Sequence, residues 1–75
     1  MALLRKDFGS RLRSIREDRQ MSQEGFAEFI GISVDFLSLI ERGINAPSFE
    51  TIEKVAARLE VPVAFLFAFE ESEGH

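Results

Sequence analysis

The chain lacks cysteine, tryptophan and tyrosine, and its single histidine is the last residue, His75. The absence of cysteine excludes a disulfide framework and a cysteine-rich zinc site. One terminal histidine does not supply a ligand set for a metal, and no other cofactor is indicated. The sequence also has no glycine-rich phosphate loop, and its carboxylates fall on outward faces of predicted helices. An enzyme is therefore the weakest of the functional classes.

Long apolar segments are missing as well. The longest, Val61 to Phe69, is far too short to span a bilayer. The N-terminus carries Arg5, Lys6 and Asp7 where a signal peptide would need its apolar segment. We therefore expect a soluble, cytoplasmic protein with no membrane partner and no small-molecule substrate.

Positive charge is also scarce, since the formal net charge is -4 and the pI is about 4.9. Taken alone, this balance argues against a nucleic-acid partner. The charge is unevenly distributed, however. Residues 1–20 hold six Lys and Arg against three acids, whereas residues 21–75 hold three against ten. This asymmetry is compatible with one basic and one acidic face, and equally with an ordinary solvated surface.

The apolar spacing predicts one small all-α domain over residues 1–69, followed by a disordered acidic tail at 70–75. Apolar residues at positions 4, 8, 12 and 15 predict helix 1 from Ala2 to about Arg19. Gly9 and Ser10 have low helix propensity and lie in its middle. Helix 1 is therefore expected either to fray in its first turns or to start late, near Lys6.

The segment from Met21 to Gly43 predicts two short helices joined by a tight turn. Ser22 and Ser33 are the expected N-caps, and Gly31 follows the first of these helices, where a positive φ satisfies the last carbonyls. The two helices should cross closely at Ala27, which must therefore be small. This arrangement matches a helix-turn-helix motif, whose second helix can enter the major groove of DNA.

Two further helices follow, with Ser48 as the N-cap of helix 4, Glu60 near its end, and Pro62 opening a fifth helix of about two turns. The fifth helix is apolar on all sides and must be buried on more than one of them. Leu66 is expected to face the core. The remaining apolar side chains predict a homodimer interface, the alternative being full burial in the monomer. These are Val63, Phe65, Phe67 and Phe69.

Five sequence segments carry a family resemblance: LRSIRED, MSQEGFAEFIGIS, LSLIERG, PSFETIEKVAARLEV and LF. Together they resemble the Cro/cI type of helix-turn-helix domain, the lambda-repressor-like or xenobiotic-response-element family. The match extends from Leu12 to Phe67 and is similar to small stand-alone regulators, such as restriction–modification controller proteins. The resemblance implies a five-helix fold, a homodimer and a palindromic operator in double-stranded DNA.

The resemblance also implies roles for individual residues. Gln23 looks like the family glutamine that binds a DNA phosphate and braces the recognition helix. Arg16 and Glu41 resemble an internal ion pair, although Arg16 could instead face a phosphate. Four recognition-helix residues would face base edges, namely Val34, Asp35, Ser38 and Leu39. Three others would lie near phosphates, namely Arg13, Ser33 and Arg42.

The recognition helix departs from the family pattern, because Gln, Arg, Asn, Thr or Lys is usual at its base-facing positions. Asp35 could accept a hydrogen bond from cytosine N4, and Val34 or Leu39 could contact thymine methyl groups. Direct readout would be weak, so DNA shape would have to contribute to specificity. Phe36, next to this surface, is expected to belong to the core.

Two functions therefore remain open. The first is a sequence-specific transcriptional regulator, a repressor or an activator; in an activator, Glu24 and Glu28 of helix 2 would be candidates to contact RNA polymerase. The second is a helix-turn-helix fold used as a protein-interaction module with little or no DNA binding, which the low pI and the acid-bearing recognition helix favour.

Overall fold

A computed structural model describes residues 3–69, and these residues form helices and no strand. The predicted all-α class is therefore confirmed, whereas the predicted disordered tail at 70–75 lies outside the described residues. The helices are α1 (Leu4–Asp18), α2 (Gln23–Ile30), α3 (Val34–Glu41), α4 (Phe49–Leu59) and α5 (Val63–Leu66).

The ends of the central helices follow from local sequence. The side-chain oxygens of Ser22, Ser33 and Ser48 each accept a hydrogen bond from the backbone amide three residues on, at 3.0 or 3.1 Å. Gly31 and Gly43 adopt left-handed backbone after α2 and α3, with φ of 84° and 75°. At both glycines the positive φ lets following amides bond back to the last helical carbonyls. The turn between α2 and α3 is thus specified locally, as predicted.

α5 is one turn long rather than the predicted two. It ends at Leu66, and Phe67 leaves helical geometry with a φ of -111°. The Phe67 ring packs against Phe8 of α1, with the ring centroids 5.1 Å apart, and Phe69 packs against Phe67 at 6.0 Å. The helix stops early because the chain turns these two rings back toward α1.

All five helices contribute to a single core. Ala27 is buried, as predicted for a close helix crossing, and Phe36 is partly buried against the core cluster. α3 packs against both α1 and α2, which leaves its remaining face open to solvent. The largest fully buried side chains are Leu12, Phe26, Ile30, Leu37, Ile40 and Leu66.

Gly9 is the point of closest approach between α1 and α3. α1 begins at Leu4 and runs without a break through Gly9, so the predicted late start near Lys6 is wrong. A Cβ atom at Gly9 would overlap the backbone carbonyl oxygen of Ile40. Glycine is therefore present for packing, and the contact with α3 outweighs its low helix propensity.

A buried ion pair joins α1 to α3. Arg16 donates from Nε to Glu41 Oε2 at 2.8 Å and from Nη2 to Glu41 Oε1 at 3.0 Å. The two side chains are only 13% and 2% exposed. Arg16 Nη1 also donates to the carbonyl oxygen of Met21 at 3.0 Å, in the turn before α2. The hydrogen bond with Glu41 raises the pKa of the Arg16 guanidinium despite the opposing effect of burial, so Arg16 stays charged.

The packing at Gly9 generates a prediction about stability. Gly9→Ala should lower the free energy of unfolding by about 1–3 kcal/mol, because the backbones of α1 and α3 must move apart. Gly25→Ala in α2 is the matched control, since its Cβ would meet only Ser22 Oγ at 3.3 Å. The control should be neutral or gain up to about 1 kcal/mol from helix propensity. Urea unfolding measures both values, and a Gly9 variant as stable as the control would contradict this packing.

The ion pair generates a second prediction. Glu41→Ala should lower the free energy of unfolding by about 3–5 kcal/mol, because it leaves the guanidinium of Arg16 partly buried without its carboxylate. The exposed pair Arg13–Glu17, at 3.0 Å, provides the comparison. Glu17→Ala should cost about 0.5 kcal/mol or less. If chemical unfolding shows that the two variants lose the same free energy of unfolding, burial adds nothing to the stability that the Arg16–Glu41 pair contributes.

Candidate nucleic-acid interface

The outward face of α3 carries the four residues predicted to face bases. Asp35 is exposed, and Val34, Ser38 and Leu39 are partly exposed. Val34 also packs against the core, so only part of its side chain is open. Asp35 lies in the first turn of α3, where the positive end of the helix dipole favours a carboxylate. This face offers a strong acceptor, one hydroxyl and two apolar edges.

Gln23 occupies the first position of α2 and contacts α3. Its Nε2 donates to Glu41 Oε1 at 3.0 Å, the same oxygen that receives Arg16 Nη2. This bond uses one of the two Nε2 protons, so the other remains available as a donor. The first backbone amides of α2 have no partner within the helix. The start of α2 therefore combines a held side-chain amide with backbone donors, which suits an anion such as a phosphate.

The other three residues predicted to lie near phosphates differ in how free they are. Arg42 is exposed, and its side chain makes no hydrogen bond within residues 3–69. The Ser33 oxygen accepts from the amide of Phe36, which leaves its hydroxyl proton free to donate. Arg13 is engaged in the exposed pair with Glu17, so its charge is partly offset.

Most of the basic side chains serve the fold, which sequence reasoning missed. Lys54 and Arg58 both donate to carbonyls at the C-terminal end of α2, where positive charge is favourable. The acceptor carbonyls lie 23 to 54 positions away in sequence from the basic side chains, so no local sequence pattern predicts these hydrogen bonds. The side chains that donate to backbone carbonyls in this way are Arg5, Arg11, Arg19, Lys54 and Arg58.

Most of the net negative charge of the sequence comes from residues 70–75. All nine Lys and Arg fall within residues 3–69, together with ten of the thirteen acids. The other three acids are Glu70, Glu71 and Glu73. Residues 3–69 are therefore close to neutral as a whole, although α2 and α3 themselves carry four acids and no Lys or Arg.

The residues predicted to form a dimer interface separate into two pairs. Val63 and Phe65 are each 40% exposed, whereas Phe67 and Phe69 are partly buried against the core. Arg11 covers the Phe65 ring, with its guanidinium carbon 4.3 Å from the ring centroid. The open apolar surface of α5 is thus formed mainly by Val63 and Phe65.

A strongly exposed aromatic residue was not singled out in the sequence. Phe49, at the start of α4, is 84% exposed. It lies on an apolar groove whose lining includes Leu4, Phe8, Ile52 and Phe67. Because Phe49 immediately follows the N-cap Ser48, its position in the capping turn could have been predicted, but its exposure depends on where α1 and α5 pack.

Within residues 3–69, no group of three or more acidic or histidine side chains is placed to hold a metal ion. None of the helices in this range is long and apolar enough to cross a membrane.

The sequence matches the helix-turn-helix family over residues 12–66. It is 35% identical to the cryptic phage CTXphi transcriptional repressor RstR of Vibrio cholerae, across 87% of this chain and 59% of that protein. It is 34% identical to the control protein C.MunI of a Mycoplasma species, across 88% of this chain and 90% of that protein. The chain thus spans about three fifths of the phage repressor's length but most of the control protein's.

The fold gives the same result. The crystal structure of the restriction-modification controller protein C.AhdI from Aeromonas hydrophila superposes with a TM-score of 0.77 and 33% identity, covering 84% of this chain and 91% of that one. The resemblance recognised in the sequence is therefore confirmed, and the relatives are regulators rather than enzymes. The chain belongs to the helix-turn-helix family of DNA-binding transcriptional regulators.

Proposed function

We propose that this chain binds a palindromic operator as a homodimer, with α3 of each copy in the major groove, and regulates transcription from that site. The observation that supports this most strongly is the hydrogen-bonded group of Arg16, Gln23 and Glu41. It holds the N-terminus of α2 against α3 in the geometry that a helix-turn-helix needs.

Phosphate contacts would set the register of the protein on DNA. Gln23 would donate its free Nε2 proton, together with the first amides of α2. Ser33 and Arg42 lie at the two ends of α3 and would reach the backbone on either side of the groove. Arg13 would contribute only if a phosphate competes with Glu17 for its guanidinium.

Base recognition would depend on the open face of α3. Asp35 would accept from cytosine N4, Ser38 would bond to several bases, and the edges of Val34 and Leu39 would contact thymine methyl groups. Such a set discriminates weakly, so the sequence-dependent shape of the operator would supply part of the specificity.

Dimerisation would give the protein two copies of the DNA-binding surface. Val63 and Phe65 present an apolar patch on α5, the element farthest along the chain from the helix-turn-helix. A dimer formed through this patch would need its two recognition helices in successive major grooves, roughly 34 Å apart. Pairing of two half-sites would compensate for the weak readout of each one.

The proposed contacts to phosphates and bases generate a third prediction. Gln23→Ala and Arg42→Ala should weaken binding to all sequences alike, because phosphate contacts carry no sequence information. Asp35→Ala should instead reduce the preference for one base pair by about fivefold, roughly 1 kcal/mol. Glu53→Ala on α4 makes the same charge change away from α3 and is the control. Selection from random DNA followed by binding assays measures all four variants.

Two results would count against this assignment. An unchanged preference in the Asp35 variant would remove that residue from the readout. If the unaltered protein selects no sequence at low salt, where phosphate contacts are strongest, the fold is used for protein interaction instead.

The α5 patch generates a fourth prediction. Phe65→Ser should weaken dimerisation at least about tenfold, because aromatic residues at the centre of an interface contribute most of its binding energy. Phe29→Ser is a matched control, since Phe29 on α2 is 41% exposed and Phe65 is 40% exposed. Sedimentation equilibrium measures both. Unchanged dimerisation in the Phe65 variant, or equal weakening in both, would place the interface elsewhere.

A further inference from the structure

We propose that Arg5 and Lys6, in the first turn of α1, form a second phosphate contact together with Arg42. We call these three residues the basic cluster. The proposal rests on the proposed DNA-binding function and extends its phosphate contacts from α2 and α3 to α1. The ligand is the phosphate backbone of double-stranded DNA beside the C-terminal end of α3.

The first observation is where unengaged positive charge lies. Of the nine Lys and Arg, seven donate side-chain hydrogen bonds within the part of the chain that the structure describes. The two that donate none there are Lys6 and Arg42, and both are exposed. Although 36 positions apart in sequence, both lie next to Gly43. Both residues are thus neighbours of Gly43, the residue that follows the C-cap of α3.

Gly43 explains how Lys6 comes to lie there. A Cβ atom on Gly43 would be 2.6 Å from Lys6 Cγ and 3.1 Å from Lys6 Cα. A side chain at position 43 would therefore displace both the stem of Lys6 and the backbone of α1. The left-handed φ of 75° favours glycine independently of this contact. Gly43 thus follows the C-terminal end of α3 and, because it has no side chain, leaves room for Lys6 to pack beside that end.

Arg5 is held at the same place by a hydrogen bond. Its Nε donates to the carbonyl oxygen of Gly43 at 3.0 Å. This bond uses only Nε, so the two terminal amino groups can donate to another acceptor. A guanidinium already fixed on one side loses less conformational freedom when it binds a phosphate.

Neighbouring acids do not neutralise the basic cluster. Glu41, at the end of α3, is buried and bonded to Arg16. Asp7 follows Lys6 on α1 but lines a different groove, with Ser10 and Phe69. The basic cluster therefore presents three positive charges beside α3, and the polyanion that meets this edge of a recognition helix is DNA.

The test is the salt dependence of operator binding. Each phosphate contact adds about 0.9 to the slope of log affinity against log salt concentration. In the proposed homodimer, Arg5→Gln/Lys6→Gln removes two contacts from each copy, four in all, and should lower the slope by about 3.6. Between about 50 and 200 mM salt, the unaltered protein should then lose roughly 150-fold more affinity than the variant. Base preference should stay the same.

Two matched variants control for net charge and for folding. Arg19→Gln/Arg58→Gln makes an equal charge change where the side chains bond to Leu59 and Phe29 carbonyls, and should keep the slope. Arg5→Lys/Lys6→Arg keeps both positive charges and should therefore also keep the slope of the unaltered protein. Circular dichroism should show all variants folded. Ethylation interference should show phosphates that block the unaltered protein but not the glutamine variant.

The outcomes separate this proposal from the proposed function. A specific complex whose slope and ethylation pattern are unchanged in the glutamine variant would overturn the second contact alone. An equal decrease in the Arg19/Arg58 variant would also overturn it, by assigning the effect to net charge. If the unaltered protein forms no specific complex, both the proposed function and this contact are wrong.

Discussion

The buried carboxylate of Glu41 is the interaction on which the arrangement of α1, α2 and α3 depends. Its two oxygens receive three hydrogen bonds, two from Arg16 and one from Gln23. A carboxylate that is 2% exposed is strongly unfavourable unless charged and neutral donors surround it in this way. Arg16 lies on α1 and Gln23 on α2, so the Glu41 carboxylate on α3 is fully hydrogen-bonded only when these three helices are packed together. The contacts that allow the charge to be buried therefore also assemble the helix-turn-helix.

The same geometry requires that α1 lie very close to α3. Gly9 permits this approach, since any side chain there would overlap the Ile40 carbonyl one residue before Glu41. Arg16 then reaches Glu41 from two turns farther along α1. Close packing at Gly9 and charge pairing at Arg16 are therefore two parts of one contact, with the glycine setting the distance and the arginine setting the register. α3, the proposed recognition helix, is positioned by α1 as much as by the turn that precedes it.

The sequence predicted what depends on neighbouring residues. The serine caps, the left-handed Gly31 and the apolar stripes are short-range patterns, and the helices they specify are observed. Gly9 shows the limit: helix propensity predicted a weak start to α1, but the packing partner lies more than 30 positions away. The early end of α5 has the same origin, because Phe67 turns toward Phe8. Of the candidate interface, the α3 residues could be assigned from the motif, whereas the engagement of most arginines with distant carbonyls could not.

Net charge is a poor guide to how such a domain meets DNA. At physiological salt the Debye length is about 8 Å, so an exposed acid on α4 acts only weakly on a phosphate farther away than that. The charges that matter are those within reach of the backbone and not already bonded inside the fold. In residues 3–69 these are few, and two of them, Lys6 and Arg42, are neighbours of Gly43. In the proposed complex, a chain with a net charge of -4 would therefore present a locally positive edge beside α3, while its remaining cations bond within the fold.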